Sequence, residues 1–293
     1  MDAPEIVGTM EYHGSDRNAR IVILVDDLAT DGLLSEHGFS LWIDTGYERI
    51  LFDTGQNVAL ASNAPKLNID CSRADHLVLS HGHYDHTGGL RLVLDHAPQI
   101  HVYCHPGVLQ ARYSIHRGTS KPINMPRASG IALDRLPEKR LHWVLQPTMI
   151  SARVGLSGPI PQITAYEDTG GPFYLDPEGR RIDPIEDDLA LWIRTGKGLV
   201  VCLGCCHAGL INTLHHILHL NPGERIHAVI GGFHMLHADN NRLQHTMSDL
   251  RKLSPDRIIA CHCTGDQAVT MLRDNLGERV FQGAVGKTCG FGL

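Results

Sequence analysis

The stretch Ser80-His81-Gly82-His83-Tyr84-Asp85-His86-Thr87-Gly88-Gly89 constrains this chain more than any other. An apolar run at 76–79 leads into it and reads as a strand. Beyond it, Leu90, Val93, Leu94 and Ala97 fall at i, i+3, i+4 and i+7, one face of a helix. The stretch is therefore a strand-to-helix loop that carries four metal-competent side chains within six positions. His81 and His83, two apart in extended chain, project the same way and can share one ion. Asp85 and His86 lie past the turn, near the helix start, where they can serve a second ion. Gly82 lets the backbone bend closely, and Gly88-Gly89 allows tight packing where the helix leaves. A solitary core histidine is usually structural, but packing does not explain four ligand types at this spacing.

The rest of the chain repeats the strand-and-helix style. Short runs rich in Val, Ile and Leu at 21–25, 39–43, 50–52 and 100–103 predict further strands. In the second half, 189–194 and 199–203 flank Thr195-Gly196-Lys197-Gly198, a hairpin signal. Residues 210–220 and 241–253 read as helices, and 226–230 and 257–260 as strands. The class is α/β, and with no repeat or clear linker a single domain over 1–293 is expected. Residues 111–140 stand apart. They hold seven basic side chains (Arg112, Arg117, Lys121, Arg127, Arg135, Lys139, Arg140) against Asp134 and Glu138, which is +5 in a chain of net −6. Such a stretch is either a solvated surface loop or a flap that draws in an anionic small-molecule substrate.

Charge and composition narrow the partners. Lys+Arg of 26 against Asp+Glu of 32 argues against a nucleic-acid backbone as the main partner. No apolar run approaches the roughly 18 to 20 residues that span a bilayer, so no membrane partner is expected. The start Met1-Asp2-Ala3-Pro4-Glu5 lacks a signal-peptide pattern, so a cytoplasmic location is the expectation. Twenty His outnumber the 13 Phe plus Tyr, and eight Cys in such a chain read as reduced thiols or metal ligands. Cys202-x-x-Cys205 with Cys261-x-Cys263 could make a separate four-Cys zinc, but strand alternation would turn Cys202 and Cys205 to opposite faces.

The His-x-His-x-Asp-His pattern of 81–86 resembles the signature of the metallo-β-lactamase superfamily. The likeness extends through Glu36-His37-Gly38-Phe39-Ser40 and Ile50-Leu51-Phe52-Asp53-Thr54-Gly55. It continues in Gly204-Cys205-Cys206-His207-Ala208-Gly209, Gly231-Gly232-Phe233-His234 and Cys261-His262-Cys263-Thr264-Gly265. The set is similar to the branch labelled dihydropterin-ribofuranosylaminobenzene-phosphate synthase-like, or metal-dependent hydrolase. The resemblance implies an αββα sandwich with metals at one edge between two sheets, and Asp53 closing a loop beneath them. It assigns His81 and His83 to a first ion, and Asp85, His86 and His262 to a second. Two family features are replaced: Leu156-Ser157-Gly158-Pro159-Ile160-Pro161 lacks the usual His, and Gly204-Cys205-Cys206-His207 lacks the usual bridging Asp. His207 is the candidate to complete the coordination, with Cys205 as its rival. Zinc, as two ions, is the leading assignment, with manganese or iron open.

These readings predict a metallohydrolase. Ions of this kind lower the pKa of bound water to about 7, and a pair can hold the leaving oxygen as well. The target would be an ester, lactone or phosphoester, with Asp85 orienting the nucleophile and His234 stabilising the developing oxyanion. The alternative is a metal-containing ligand-binding or sensor protein with little turnover, which the missing Asp favours. Iron-based oxidative chemistry is disfavoured, because its usual electron-transfer domain has no room in the chain. His105 ends a strand and could line the pocket. His215, His216 and His219 read as an exposed helix face, and Cys71, Cys104 and Cys289 as buried small hydrophobes. Oligomeric state is not legible.

Overall fold

A computed structural model describes residues 18–293; the N-terminal pentapeptide discussed above lies outside them. Two seven-stranded sheets organise the chain. The first runs, edge to edge, Thr288–Gly292, Asn18–Val25, Ser40–Asp44, Arg49–Phe52, His76–Val78, His101–Cys104 and Leu141–Trp143. Its first four strands pair antiparallel, and from Arg49–Phe52 onward the pairing is parallel. The second runs Val280–Gln282, Arg257–Cys261, Ile226–Gly232, Gly198–Leu203, Ala190–Thr195, Val154–Leu156 and Thr148–Met149. Its first four strands are parallel and the rest antiparallel. Each sheet thus joins a hairpin meander to a set of parallel crossovers. Only parallel strands require helical returns, which explains why helices alternate with strands just where the sequence pattern did.

The apolar side chains sort into layers. Ile21, Ile23, Leu41, Ile43, Ile50 and Phe52 meet Leu191, Ile193, Val200, Ile230 and Ile259 between the sheets. The alternate residues Val22, Leu24, Leu51 and Leu77 face outward and are covered by the helices Val58–Lys66 and Leu90–His96. On the far side Val201, Val229 and Ile258 pack under Leu210–Leu220, Asn240–Leu253 and Asp266–Leu276. Period-two alternation with both faces apolar is what a strand buried on both sides demands. The result is the αββα sandwich that the resemblance implied.

The basic stretch 111–140 is not a loop. It forms the hairpin Tyr113–His116 and Thr119–Pro122, extended by Phe173–Tyr174, and then the helix Arg127–Asp134. Its positive charge is also dispersed. Arg112 is buried in ion pairs with Asp183 and Asp187. Arg127, Arg135 and Arg140 line a separate groove with Arg91. Lys121 alone of the seven borders the cleft that holds the histidine motif. The charge count was right, but charges on one stretch of chain need not share one surface. Among the described residues no helix is long and apolar enough to cross a membrane.

Candidate metal centre

The predicted ligands come from loops at the carboxyl ends of the parallel strands of both sheets. The loop after His76–Val78 carries His81 and His83, with His81 Nε2 2.9 Å from His83 Nδ1. Gly82 between them lies against backbone: a Cβ there would stand 2.6 Å from the Val108 carbonyl oxygen. No residue but glycine fits that approach. From the other sheet, the loop after Gly198–Leu203 brings His207, whose Nδ1 donates to the Thr169 carbonyl at 2.8 Å. That bond places the proton on Nδ1 and leaves Nε2 with its lone pair. One ligand atom from each of His81, His83 and His207 lies within 4.8 Å of the others. Burial pushes the pKa of all three rings well down, aided by neighbouring imidazoles at His81 and His207 and by Arg112 and then His86 at His83, so they stay neutral. The Nε2 atoms of His83 and His207 are buried without a hydrogen-bond partner. Buried polar atoms are rarely left so, and an all-imidazole pocket with orphaned nitrogens fits a borderline cation such as zinc.

A second group, Asp85, His86 and His262, converges beside the first. His86 Nδ1 donates to Asp53 Oδ2 at 2.7 Å, which turns Nε2 towards Asp85 Oδ2 at 3.8 Å and Cys205 Sγ at 3.1 Å. Asp53 also accepts from the Ser80 backbone N–H and hydroxyl, both at 2.7 Å, so it braces the loop that bears the motif. His262 is held the same way: Nδ1 donates to Asp27 Oδ1 at 2.7 Å, and Nε2 stands 3.4 Å from Asp85 Oδ2. A carboxylate behind each imidazole fixes tautomer and orientation, the usual support for a metal-binding histidine. Burial alone would raise the Asp85 carboxyl, but His86, His262 and His83 outweigh it and hold Asp85 well below the usual carboxylate range. The His81 and His86 rings are 4.3 Å apart, so the two groups adjoin.

All six residues assigned to metal by sequence therefore meet at one place, and His234 joins them. Its ring lies 4.3 Å from that of His207, and its Nδ1 is buried without a partner. The choice between His207 and Cys205 dissolves geometrically, because Cys205 Sγ lies within 4.8 Å of ligand atoms on His81 and His86 while His207 sits with His81 and His83. Other expectations are corrected. His105 accepts from the Gly107 N–H and faces a different cleft, with Pro159, Pro184 and Asp188. Cys202 and Cys261 belong to the core between the sheets, whereas Cys205 and Cys263 face the histidines, so the four do not gather. His216 is half-buried and bonded to the Ser157 carbonyl, while His215 and His219 are exposed as expected. Cys104 is buried, but Cys71 and Cys289 are only partly so.

Sequence reasoning gave no role to several residues that shape the site. Asp27 accepts from both His262 and His37, and His37 Nε2 stands 3.3 Å from Asp85 Oδ2. Asp26 accepts the His262 backbone N–H at 2.7 Å, and burial raises its carboxyl to about 7. Phe173 packs its ring against His83, His207 and His234. The available signal was the pair Asp26-Asp27 just past an apolar strand, the position that Asp53 holds after Arg49–Phe52 in the same sheet. A cleft of about 340 Å³ opens above these groups, bordered by Asp27, His37, His116, Phe173, His234 and His262.

Comparison with known proteins agrees with this geometry. The family described as the metallo-beta-lactamase superfamily matches residues 36–215, more than half of the chain and the whole first ligand loop. The chain belongs to the metallo-beta-lactamase superfamily. It is similar over nearly full length to two proteins of Methanocaldococcus jannaschii. One, 29% identical across 90% of this chain and 94% of its own, is named 7,8-dihydropterin-6-methyl-4-(beta-D-ribofuranosyl)-aminobenzene-5'-phosphate synthase. The other is an uncharacterized protein, 33% identical across 92% of this chain and 99% of its own. A solved structure of a metal-dependent hydrolase of the beta-lactamase superfamily superposes with a TM-score of 0.78. It is 29% identical, and the match covers 94% of this chain and all of the other. Members of the superfamily are generally hydrolases.

Proposed function

We propose that the chain is a metal-dependent hydrolase that holds two zinc-type ions and acts on an ester, lactone or phosphoester of a small anionic molecule. The observation that carries this reading is the pair of adjoining donor groups, His81/His83/His207 and Asp85/His86/His262, under one open cleft. Zinc bound there would supply Lewis acidity and a water acidic enough to attack at neutral pH. The chain's own residues supply position. Asp85 Oδ2, ionised and facing three imidazoles at 3.3 to 3.8 Å, accepts a hydrogen bond from the attacking water and aims it. His234, with Nδ1 unpartnered at the cleft wall, donates to the oxygen on which charge develops. Phe173 covers the rings of His83 and His207 and keeps bulk water from them.

Support for an anionic substrate rests on the cleft rather than on the whole 111–140 stretch. Lys121, His116, His234 and His37 line its two adjoining parts, with Asp26, Asp27, Asp85 and Asp266 as the acidic groups, so Lys121 is the fixed positive charge that would meet an anion. A second reading, a synthase, is favoured by the full-length likeness to the enzyme whose named product carries a 5'-phosphate. Both readings expect an anionic ligand, so ligand charge does not separate them. The test is metal content per chain by elemental analysis on untagged protein, beside hydrolysis of a generic phosphodiester and a lactone. Two equivalents with chelator-sensitive turnover are expected. Full metal occupancy without hydrolysis would favour the synthase or the binding protein, and absence of metal after reconstitution would sink the proposal.

A further inference from the structure

Three acidic side chains in the run Asp183-Pro184-Ile185-Glu186-Asp187-Asp188 are buried: Asp183, Asp187 and Asp188. Arg112, also buried, joins two of them. Its Nη1 and Nη2 donate to Asp187 Oδ2 and Oδ1 at 2.8 and 2.5 Å, and its Nε lies 2.8 Å from Asp183 Oδ2. Asp187 Oδ2 also accepts the Gly82 backbone N–H at 2.8 Å, between His81 and His83. Just after it in the chain, Asp188 Oδ2 accepts the Ala208 N–H at 2.7 Å, next to His207, and Leu189 N–H donates to the Ser80 carbonyl at 2.8 Å. The segment 183–189 thus clips both loops that supply the first ligand group. It reaches the cleft wall as well, because Asp183 N–H donates to the carbonyl of Phe173.

The clip is held under strain. Ile185 has φ 51°, a left-handed backbone that a β-branched residue adopts only when its surroundings impose it. Asp183 Oδ1 accepts the Ile185 N–H at 2.9 Å and locks that turn. A buried ion pair is by itself a poor source of stability, since well-packed apolar groups often serve as well. What apolar groups cannot do is accept the buried N–H of Gly82, and Gly82 cannot shift because Val108 backbone lies against it.

We propose that Asp187, held by Arg112, is a positioning residue for the His81/His83/His207 pocket and sets how tightly that pocket holds its ion. Arg112 spends its charge on the ligand loop rather than on an incoming anion. The inference rests on the metal-binding reading above. Support beyond the metal-binding side chains is worth about 10–100-fold in affinity when removed. The experiment is zinc competition against a chromophoric chelator, with the visible spectrum of the cobalt(II)-substituted protein and the melting of the metal-free protein measured alongside. Asp187→Asn and Arg112→Met should each weaken zinc binding by about 10–100-fold and alter the cobalt spectrum. The double variant should bind no more weakly than the worse single one, because both act through one contact. Asp183→Asn, which leaves the Arg112–Asp187 fork in place, should lose less.

Lower melting with wild-type zinc affinity and cobalt spectrum would show a merely structural role and overturn the proposal. Should Asp187→Asn or Arg112→Met not fold, Asp183→Asn and Arg112→Lys decide in their place. Lysine keeps the charge but cannot span two carboxylates, so affinity must fall; unchanged affinity in both variants overturns the proposal. Wild-type protein that binds no zinc would sink the metal-binding reading itself, a result distinct from variants that bind as the wild type does.

Discussion

The two sheets present their ligands in different ways. The first sheet delivers His81, His83, Asp85 and His86 on one loop, and none of these residues has a positive φ. The second sheet delivers single residues from three successive crossovers, after Leu203, Gly232 and Cys261. At each of them the chain bends through a left-handed residue: Cys206 at φ 60°, His234 at 45° and His262 at 46°. Non-glycine residues hold such conformations only at a cost, of order 1–3 kcal/mol each where the fit is poor, and such sites cluster where function needs a side chain aimed against local preference. One half of the centre is therefore built from local spacing, and the other from backbone forced into place by the sheet. The first half should be sensitive to its ligands and to the buried carboxylates that brace its loop; the second should be sensitive as well to the strained backbone that aims each residue.

The comparison breaks most sharply at the ligands. His83→Ala leaves the first pocket with donors from two different loops, so metal per chain should fall by at least one and hydrolysis should drop to background. Asp85→Ala should do the same from the second pocket, with the fold of each variant intact by circular dichroism. His207→Ala removes a single donor from the second sheet and should retain more metal than His83→Ala. Equal metal loss in the two would erase the distinction between the halves. His234 tests the second sheet's other contribution. If His234 donates to a developing oxyanion, His234→Ala should lower kcat roughly 10²–10³-fold, with metal content and KM little changed. Metal lost along with activity would make His234 a ligand instead.

The same contrast explains how much was legible. Residues 76–103 could be read as strand, loop, helix and strand because period and spacing are local properties, and Leu90–His96 falls inside the expected helix. The helix Leu210–Leu220 was legible for the same reason. His207, His234 and His262 became candidates through family likeness, since nothing within a few residues of any of them announces a ligand. Asp187 and Phe173 had neither signal, and Asp27 had only its place at the end of an apolar strand. Asp27, Asp187 and Phe173 meet His262, Gly82 and His83 across separations of 235, 105 and 90 residues in sequence, and only sheet order creates those contacts. Arg112 shows the converse error: a charge count along 111–140 could not tell a buried ion pair from a surface charge.

A smaller effect compares the carboxylates that stand behind the imidazoles. Asp53 is fully buried and braces Ser80 as well as His86, whereas the Asp27 side chain is 39% exposed. Removing such a partner costs about 10–100-fold in metal affinity. Asp53→Asn should lie near the top of that range and Asp27→Asn near the bottom, because water can replace part of what Asp27 supplies. Chelator competition ranks the two directly. The reverse order would mean that the second sheet's strained loop depends more on its outer partner than the first sheet's loop does.

The smallest expected effect lies at the opposite, amino ends of the second sheet's strands. There Arg225 donates to both oxygens of Asp256 at 2.7 and 2.6 Å, and His227 Nδ1 meets the same carboxylate at 2.7 Å. The pair resembles the forks at the metal end, but Arg225 and Asp256 are 52% and 42% exposed. Arg225, and then His227, holds the Asp256 carboxyl below its ordinary value of 3.8. A depressed folded-state pKa means that the contribution is fully present above that ordinary value and is lost as pH falls below it towards the folded value. Solvent and salt screen such an exposed pair, so Asp256→Asn should cost less than about 1 kcal/mol at pH 7. The difference from wild type should shrink as denaturation is repeated at pH values below 3.8, and also in high salt. Zinc affinity should not change. A variant that unfolds no more easily but binds zinc more weakly would mean that the strands carry strain from one end of the sheet to the other, and that the left-handed loops at the metal end are set partly by charges on the far side.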